Sequence, residues 1–457
     1  MQILVPLYVT VSPIGQSSSP TNQINNGADF GPDTPGTNTM GLQEALTAIA
    51  GGGMVFVRKG NYSNVHAALS NTGNNQVVYF EPGCTLTFTN SAAVSNPTYS
   101  GLLNAGIFLA QNSAFNASYN DCSWLGNGCQ LNMNDIDTVA LFAGVPPAST
   151  AAPPIFLNVE GFEIYNIAGQ RPVFVACMNG FGFKPTYSQC IRQARFSKIW
   201  YHGFSSTTPT GTTGFTVAGS ARAVQADEIF GDCSSMPTVN YSNLHIHCAQ
   251  GDTTDIKIMN SIFLCNGAGQ PTGTGQVFEL QGTASNTSGT TTVTSNIMIE
   301  NTEFYSPTTG NVGAGQGGGY VDDTNGGSNA YVTNLLFRNC IFTRVGVGYQ
   351  TWTQTPNVFG YVRFEGGFPA STSGSLLNRS PGNSTTAPTF PSGGTFTNNY
   401  GFSILATLSG GSLTAISING AATGATSGTF VLKAGDTLTV TPTGAAPTFT
   451  VTSIGPG

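Results

Sequence analysis

One short pattern returns six times between Leu157 and Phe342. In each copy apolar and polar residues alternate, as they do in a β-strand with one buried face. Similar strands repeated in a fixed register are typical of a solenoid, in which each coil packs on the next. The predicted inward column contains Val159, Phe196, Tyr241, Ile258, Ile299 and Phe337. Two residues later, four of the copies carry asparagine, namely Asn243, Asn260, Asn301 and Asn339.

A second strand pattern lies between copies of the first, near Phe174, Phe215, Phe278, Tyr320 and Tyr361. Two strands per coil, joined by loops rich in Gly, Ser, Thr and Asn, predict a parallel β-helix. The asparagines are predicted to point inward at coil corners, where their amides would bond to identical residues above and below. The alternative interpretation is an ordinary β-sandwich with asparagines in its turns.

A resemblance to known proteins begins where the repeats begin. The stretch NNGADFGPDTPGTNTMGLQEALTAIAGGGMVFVRKGNY, from Asn25 to Tyr62, resembles the opening of pectate-lyase-like and polygalacturonase-like β-helix proteins. It implies an all-β, right-handed parallel β-helix with an N-terminal capping helix, whose N-cap would be Thr39 and whose end would lie at Gly51 to Gly53. That superfamily includes lyases, hydrolases, phage tailspikes and inert virion fibres, so the resemblance does not specify an activity.

Composition divides the chain into four predicted segments. They are an N-terminal attachment segment (1–26), the parallel β-helix (27–375), a Pro/Gly/Ser/Thr-rich linker (376–400) and a small antiparallel β-sandwich (401–457). Residues 412–451 are also similar to short terminal β-domains of phage and archaeal-virus surface proteins.

The charge balance excludes some classes of partner. Only 8% of residues are charged, the net charge is -7, and the 14 basic residues form no cluster that could neutralise phosphates. A nucleic-acid partner is therefore not expected. No apolar run is long enough to span a membrane, and the first residues lack the basic region of a signal peptide. With 21 carboxylates, the chain is expected to change little in stability between about pH 7 and about pH 3.

Nine cysteines are compatible with some disulfides. The candidate pairs are Cys122 with Cys129, across a short loop, and Cys248 with Cys265, on successive coils. The alternative is that all of the thiols are reduced and buried. Six N-x-S/T sequons are candidate glycosylation sites, at Asn61, Asn116, Asn240, Asn286, Asn378 and Asn383.

Three charged residues of the second pattern are predicted to share one outward column. They are Glu279, Asp322 and Arg363. Carboxylates on neighbouring coils would lie about 4.8 Å apart, close enough to act as the acid and base of a glycosidase. The adjacent Asp323 completes an Asp-Asp pair that resembles the one in polygalacturonases, but the N-x-D, G-H-G and R-x-K elements of that family are missing. The alternative is a charge-compensated ladder like the one expected between Glu300 and Arg338.

Aromatic residues indicate a possible carbohydrate-binding surface. Trp200 and Tyr165 fall on or beside outward positions near Glu163, where exposed rings could stack on sugars. They could equally pack beneath a loop. The same outward column carries Ile262 and Ile341, so either loops or a neighbouring subunit should cover this face.

Metal and cofactor chemistry are not predicted. His245, His247, Asp252 and Asp255 form a polar cluster, but the two histidines are outward-facing and their neighbours lie in a loop. A zinc site needs several converging ligands. No phosphate loop, nucleophile elbow or CxxC motif is present, so no cofactor is expected.

Three functional classes remain. The first is a virion surface spike or fibre for host attachment: an extracellular homotrimer, joined to other virion proteins through its N-terminus and binding a host glycan or receptor. The second is a polysaccharide lyase or glycoside hydrolase that acts in a groove of the β-helix. The third is a cellular adhesin or surface-filament subunit. The lack of a recognisable export signal favours the first.

Overall fold

The computed structural model describes most of the repeat region and most of the C-terminal region. The described residues are 7–15, 24–89, 105–111, 117–136, 139–145, 155–168, 171–177, 191–205, 212–219, 221–236, 241–248, 252–265, 276–281, 292–306, 319–322, 330–345, 347–350, 362–366, 384–386, 394–398, 403–433, 435–445 and 447–454. None of the helices among them is long and apolar enough to cross a membrane.

Two parallel sheets contain all of the strands that the structure describes up to residue 365. Sheet A contains β1 (Leu7–Val11), β2 (Gly53–Val57), β3 (Gly60–Val65), β5 (Gln76–Phe80), β6 (Cys84–Phe88), β8 (Cys122–Asn132), β10 (Ile155–Tyr165), β12 (Ile191–Tyr201), β14 (Ala221–Arg222), β15 (Gln225–Asp232), β17 (Thr253–Met259), β18 (Ile262–Leu264), β20 (Thr292–Glu300), β21 (Glu303–Tyr305), β23 (Ala330–Arg338), β24 (Ile341–Thr343) and β26 (Val362–Glu365). Sheet B contains β4 (Leu69–Ser70), β7 (Ala105–Leu109), β9 (Val139–Val145), β11 (Val173–Cys177), β13 (Thr212–Ala218), β16 (Tyr241–His247), β19 (Gln276–Gln281), β22 (Gly319–Asp322) and β25 (Val347–Gln350).

The chain alternates between these sheets, and each strand pairs in parallel with its counterpart one coil later. β10, for example, pairs with β8 and β12 in sheet A, while β11, which follows it, pairs with β9 and β13 in sheet B. Strands that follow one another in sequence either lie in different sheets, as β10 and β11 do, or form two consecutive segments of sheet A, as β2 and β3 do. This connectivity defines a parallel β-helix, and the β-sandwich alternative for the repeats is wrong.

The inward column of sheet A was predicted almost completely. The pairing aligns Val159, Phe196, Ile258, Ile299 and Phe337 through successive coils, and all five are buried. Tyr241 was wrongly included, because it begins β16 of sheet B. The missing member is Ala226 of β15, which pairs with Phe196 and Ile258.

In each coil, a bend divides the sheet A segment into two parts. We call the part before the bend the first arm and the part after it the second arm. In some coils the two arms belong to one long strand, as in β10, and in others they are two strands, as in β17 and β18. The residue at the bend has φ between 47° and 77° in every coil from β10 onward; this bend column contains Gly161, Lys198, Glu228, Asn260, Asn301, Asn339 and Gly366. Asparagine and glycine adopt this left-handed region more readily than most residues. The bend explains why asparagine recurs at this position of the repeat.

The predicted inward orientation is wrong for three of the four asparagines. Asn260, Asn301 and Asn339 are exposed, although their amides do bond from coil to coil. Asn301 Nδ2 donates to Asn260 Oδ1 at 3.2 Å, and Asn339 Nδ2 donates to Asn301 Oδ1 at 3.4 Å. Asn243 is buried in sheet B instead, where its Nδ2 donates to the carbonyl oxygens of Gly231 and Leu264.

The described residues of the N-terminal part form one short helix, α1 (Leu42–Ala48), and a 3₁₀ turn (Ile24–Gly27). The apolar side of α1 is buried and contacts β1, β2 and β4. Its N-cap is Gly41, in the left-handed region, and the expected cap Thr39 instead accepts a hydrogen bond from the Gln43 amide at 3.1 Å. β1 belongs to sheet A, so part of the predicted attachment segment is a strand of the coil.

The C-terminal part forms two four-stranded antiparallel sheets with one hydrophobic core of its own. One sheet has the order β27 (Ser384–Thr386), β34 (Thr448–Ser453), β29 (Ile404–Ser409) and β32 (Gly428–Leu432). The other has the order β28 (Thr395–Thr397), β33 (Thr437–Pro442), β30 (Leu413–Ile418) and β31 (Ala421–Ala422). Side chains from both sheets share the core. β27 and β28 lie inside the predicted linker 376–400, which therefore contributes strands.

Both proposed disulfides are contradicted by the strand assignments. Cys122 and Cys129 belong to the single extended strand β8, which separates them by several residue lengths. Cys248 follows β16 of sheet B, whereas Cys265 follows β18 of sheet A. All four cysteines are buried, and none of them forms a disulfide. Of the sequon asparagines, Asn61 is exposed on β3, and the other five lie outside the described residues.

Candidate functional site

The outer side of the second arm carries two adjacent columns of residues, which we call the aromatic face. The first column contains Thr85, Gln130, Glu163, Trp200, Phe230, Ile262, Glu303 and Ile341. The second contains Thr87, Asn132, Tyr165, His202, Asp232, Leu264, Tyr305 and Thr343. Successive members of a column lie about 4.8 Å apart, the spacing of neighbouring strands.

The centre of the aromatic face is a row of stacked rings. Trp200 stacks on His202 with ring centroids 4.2 Å apart, and His202 stacks on Tyr165 at 6.0 Å. On the next coil Phe230 stacks on Trp200 at 5.9 Å. Trp200 is 40% exposed, although a large apolar ring would normally be buried. The rings therefore support one another while leaving part of the Trp200 side chain open to solvent.

A carboxylate holds this row in place. Glu163 Oε1 lies 2.9 Å from His202 Nε2, and Glu163 Oε2 accepts a hydrogen bond from Gln130 Nε2 at 2.9 Å. The Glu163 and His202 side chains are only about one quarter exposed, at 23% and 26%. Burial, with a smaller contribution from Glu163, raises the pKa of Tyr165, so its hydroxyl remains a hydrogen-bond donor at neutral pH. The face thus combines flat rings with polar groups at their edge.

Beyond Phe230 the aromatic face continues as an apolar strip. Ile262 and Ile341 are 39% and 58% exposed, while Leu264 and Tyr305 are half-buried. The prediction that Trp200, Ile262 and Ile341 share one outward column is confirmed by the strand register. The structure also makes Glu163 and Trp200 direct neighbours, with Tyr165 two residues beyond Glu163, so the three predicted carbohydrate-binding residues come together.

The predicted column of charged catalytic residues does not form. Glu279 pairs with Tyr320, and Asp322 pairs with Gln281, so their register differs by two residues from the predicted one. Arg363 lies in β26 of sheet A, opposite Leu336, and not in sheet B. Asp323 lies outside the described residues.

The register error has a steric origin at Gly319. Phe278 pairs with Gly319, and a Cβ added at Gly319 would lie 2.0 Å from Phe278 Cζ. The phenyl ring therefore occupies the space that a side chain at Gly319 would need. A shift of two residues keeps every side chain on the same face of the sheet, so alternation alone could not detect the error.

Glu279 instead belongs to a polar cluster on the outer side of sheet B. Its Oε2 accepts a hydrogen bond from Ser242 Oγ at 2.6 Å and lies 3.7 Å from His245 Nε2. The rings of His245 and His247 are 4.5 Å apart. Burial, followed by His245 and Arg171, lowers the pKa of His247 well below its usual range. The cluster brings together a carboxylate and an imidazole, the two groups most often used for proton transfer.

The predicted contact between Glu300 and Arg338 is confirmed on the first arm of sheet A. Arg338 Nη1 lies 3.6 Å from Glu300 Oε1, and the ladder extends to Lys257 on one side and Glu365 on the other. These pairs are partly exposed, so each contributes little to stability. Among the residues that the structure describes, no three His, Cys, Asp or Glu side chains converge on a possible metal position.

Two of the four stacked rings, His202 and Phe230, were missed in the sequence. His202 has the same outward parity as Trp200 and follows it by two residues, which is a signal that could have identified it. Phe230 lies in the segment QADEIFGD. This segment resembles no other copy of the repeat, because its residue in the inward column is the small Ala226. The place of Phe230 beside Trp200 required the strand register.

No protein-family model matches the chain, and no curated protein matches it in sequence. Solved structures resemble it only distantly. The A-module of Azotobacter vinelandii mannuronan C-5 epimerase AlgE4 aligns with 74% of this chain and 96% of its own, at 11% identity and a TM-score of 0.33. For Geobacillus virus E2 ORF18 the coverages are 93% and 74%, with 9% identity and a TM-score of 0.38. For the pectin methylesterase PemA of Erwinia chrysanthemi they are 81% and 92%, with 13% identity and a TM-score of 0.25. At these scores the assignment of the fold rests on the strand pairing described above.

Proposed function

We propose that this chain is a virion surface spike or fibre that attaches to its host by binding a glycan along the aromatic face. The observation that carries the proposal is the stacked row of Tyr165, His202 and Trp200, braced by Glu163 and left partly open to solvent. Flat rings can pack on the C–H faces of sugar rings, while neighbouring polar groups accept hydrogen bonds from hydroxyls.

The surrounding architecture suits this role. A stack of coils presents one repeated face over a long distance, which is how solenoids form extended binding surfaces. We further propose that the coil is right-handed, that α1 closes its first turn, and that the two C-terminal sheets form a sandwich. The separate C-terminal core is consistent with a homotrimer on the virion surface that contacts other virion proteins through its N-terminal residues. Sedimentation of the full chain at micromolar concentration tests the trimer, and a monomer would contradict it.

The glycan-binding proposal is tested by removing the exposed ring. The variant W200A should lose at least about tenfold in affinity for glycans from the host surface, which corresponds to about 1.4 kcal/mol. The matched control is Y79A, which removes an aromatic ring stacked on Phe56 on the first arm, 5.4 Å between centroids. Isothermal titration calorimetry measures the affinity of each variant for the glycan. The affinity of Y79A should equal that of the wild type. Equal affinities for W200A and the wild type would contradict the proposal.

Polysaccharide cleavage is a second candidate function, and the proximity of Glu279 to His245 is the observation that favours it. If the chain cleaves a polysaccharide there, the wild type should release reducing ends or unsaturated products. The variant E279Q should then slow this release by orders of magnitude, because a proton-transfer group has been removed. Absence of any product with the wild type would eliminate this candidate and leave the binding proposal intact.

A further inference from the structure

The charges around the aromatic face restrict the kind of glycan that it could accommodate. None of the residues in its two columns is lysine or arginine. Three of them are acidic, namely Glu163, Asp232 and Glu303. Resting on the proposed function, we infer that the ligand is an extended uncharged glycan, such as a chain of neutral hexoses or N-acetylhexosamines, and not a polyuronate.

The positive groups described on the neighbouring arm are already engaged. Lys198 Nζ lies 2.7 Å from Glu160 Oε1, and Arg195 Nη2 lies 3.8 Å from Asp227 Oδ2. A polyuronate places one carboxylate on every sugar, so it would need cations along its whole length. Here it would instead meet like charges, which repel at short range in a partly buried site. The net charge of -7 adds to this repulsion at longer range.

The carboxylates are well suited to sugar hydroxyls. Glu163 keeps its two oxygens at the edge of the stacked rings, where it is bonded to His202 and Gln130. Thr343 Oγ1 donates to Glu303 Oε1 at 3.3 Å three coils beyond Trp200. Ionised carboxylates only accept hydrogen bonds, and the hydroxyls of a neutral sugar are donors. Each acidic residue can therefore position a hydroxyl without needing an opposite charge on the ligand.

The repeat of the face favours an extended chain. Side chains recur about every 4.8 Å along each column, a step comparable with one residue of an extended polysaccharide. Rings and aliphatic side chains occupy the middle of the face from Tyr165 to Ile341, and the acidic residues are interspersed among them. Successive sugars could thus contact successive coils.

The inference can be tested with an array of hexasaccharides of matched length that are neutral, amino-substituted or uronic. Wild type and W200A are compared on it, with Y79A as the control, in buffer containing EDTA and again with calcium. We expect all Trp200-dependent binding to be to uncharged glycans, at least tenfold tighter than to any uronate. In addition, the variant E303Q should bind uronates more tightly than the wild type does, so the difference in affinity between uncharged glycans and uronates should become smaller.

Two other outcomes separate the inference from the proposed function. Trp200-dependent binding that is as strong for a uronate or an amino-glycan as for the neutral ones, with or without calcium, would overturn the inference and leave glycan binding in place. No Trp200-dependent binding to any class would overturn both.

Discussion

The Tyr201 hydroxyl links the two sheets inside the coil, and its removal should be costly. The hydroxyl donates to Asn243 Oδ1 at 2.6 Å and accepts the Phe215 amide at 3.1 Å. Tyr201 is fully buried, and its oxygen lies so close to Gly214 and Gly231 that a Cβ at either position would come within 2.6 Å and 2.3 Å of it. Tyr201 therefore connects β12 of sheet A to β13 and β16 of sheet B.

The substitution Tyr201→Phe removes one oxygen and keeps the ring. It leaves the Phe215 amide and the Asn243 side-chain oxygen without this partner in a buried environment. Each such group costs about 1–3 kcal/mol, so we expect the free energy of unfolding to fall by about 3 kcal/mol. Urea unfolding followed by tryptophan fluorescence measures this change, because Trp124 and Trp200 both lie in sheet A. The midpoint should fall while the slope is preserved.

The control is Tyr165→Phe, the same chemical change on the aromatic face. Tyr165 is half-buried, so its free energy of unfolding should change by no more than about 0.5 kcal/mol. If Tyr201→Phe also stays within about 0.5 kcal/mol of the wild type, the proposed link between the sheets contributes nothing and the reasoning is refuted.

Two further predictions concern buried titratable groups. The pKa of His247 is lower in the folded protein than in the unfolded chain, so as the pH falls the unfolded chain binds a proton before the folded protein does. The free energy of unfolding should therefore be independent of this histidine above about pH 6.5. Below that pH it should fall by up to about 1.4 kcal/mol per pH unit. The variant H247Q should reduce this slope in thermal melts, and an unchanged slope would contradict the assignment. Burial raises the pKa of Cys84 and Cys122 to about 12 and that of Cys340 to about 11, so these thiols should resist iodoacetamide at pH 8 in the native protein and react in urea. Complete labelling of the native protein, measured by mass spectrometry, would disprove their burial.

The prediction for His247 differs from the expectation of a nearly constant stability between about pH 7 and about pH 3. That expectation counted carboxylates, of which the chain has few. Linkage depends on the difference in pKa between the folded and unfolded states and not on the number of groups. One histidine whose pKa is lowered by burial can therefore outweigh many exposed carboxylates.

Alternation and repetition were sufficient to predict the parallel coil and most of the sheet A core, because Val159, Ile258 and Ile299 mark the inward column clearly. They failed at β15, where the inward residue is the small Ala226 and an outward residue is the large, apolar Phe230. This is the reverse of the expected pattern of large apolar residues inside and polar residues outside. The segment around Tyr241 was chosen instead, although it belongs to sheet B. Period-two patterns identify a face of a strand, but they do not specify which of two sheets the strand joins.

The same limit explains the outcome for the candidate sites. Trp200, Tyr165 and Glu163 were grouped correctly because they lie on directly neighbouring coils of a well-marked repeat. Glu279 was placed beside Asp322 through a shift of two residues, and its proximity to His245 depended on assigning β16 to sheet B. Predicting contacts between residues on neighbouring coils therefore requires the register of the strands. Loops between strands help to set this register, and the alternation of apolar and polar residues does not encode it.

The most direct test of glycan binding at the aromatic face is fluorine NMR of the chain labelled with 5-fluorotryptophan. The chain has three tryptophans, and the resonance of Trp200 is assigned as the one missing from the variant W200F. On titration with a neutral glycan that binds, the Trp200 resonance should shift progressively and saturate, while that of the fully buried Trp124 should stay in place. A bound glycan that leaves the Trp200 resonance unmoved would contradict the account.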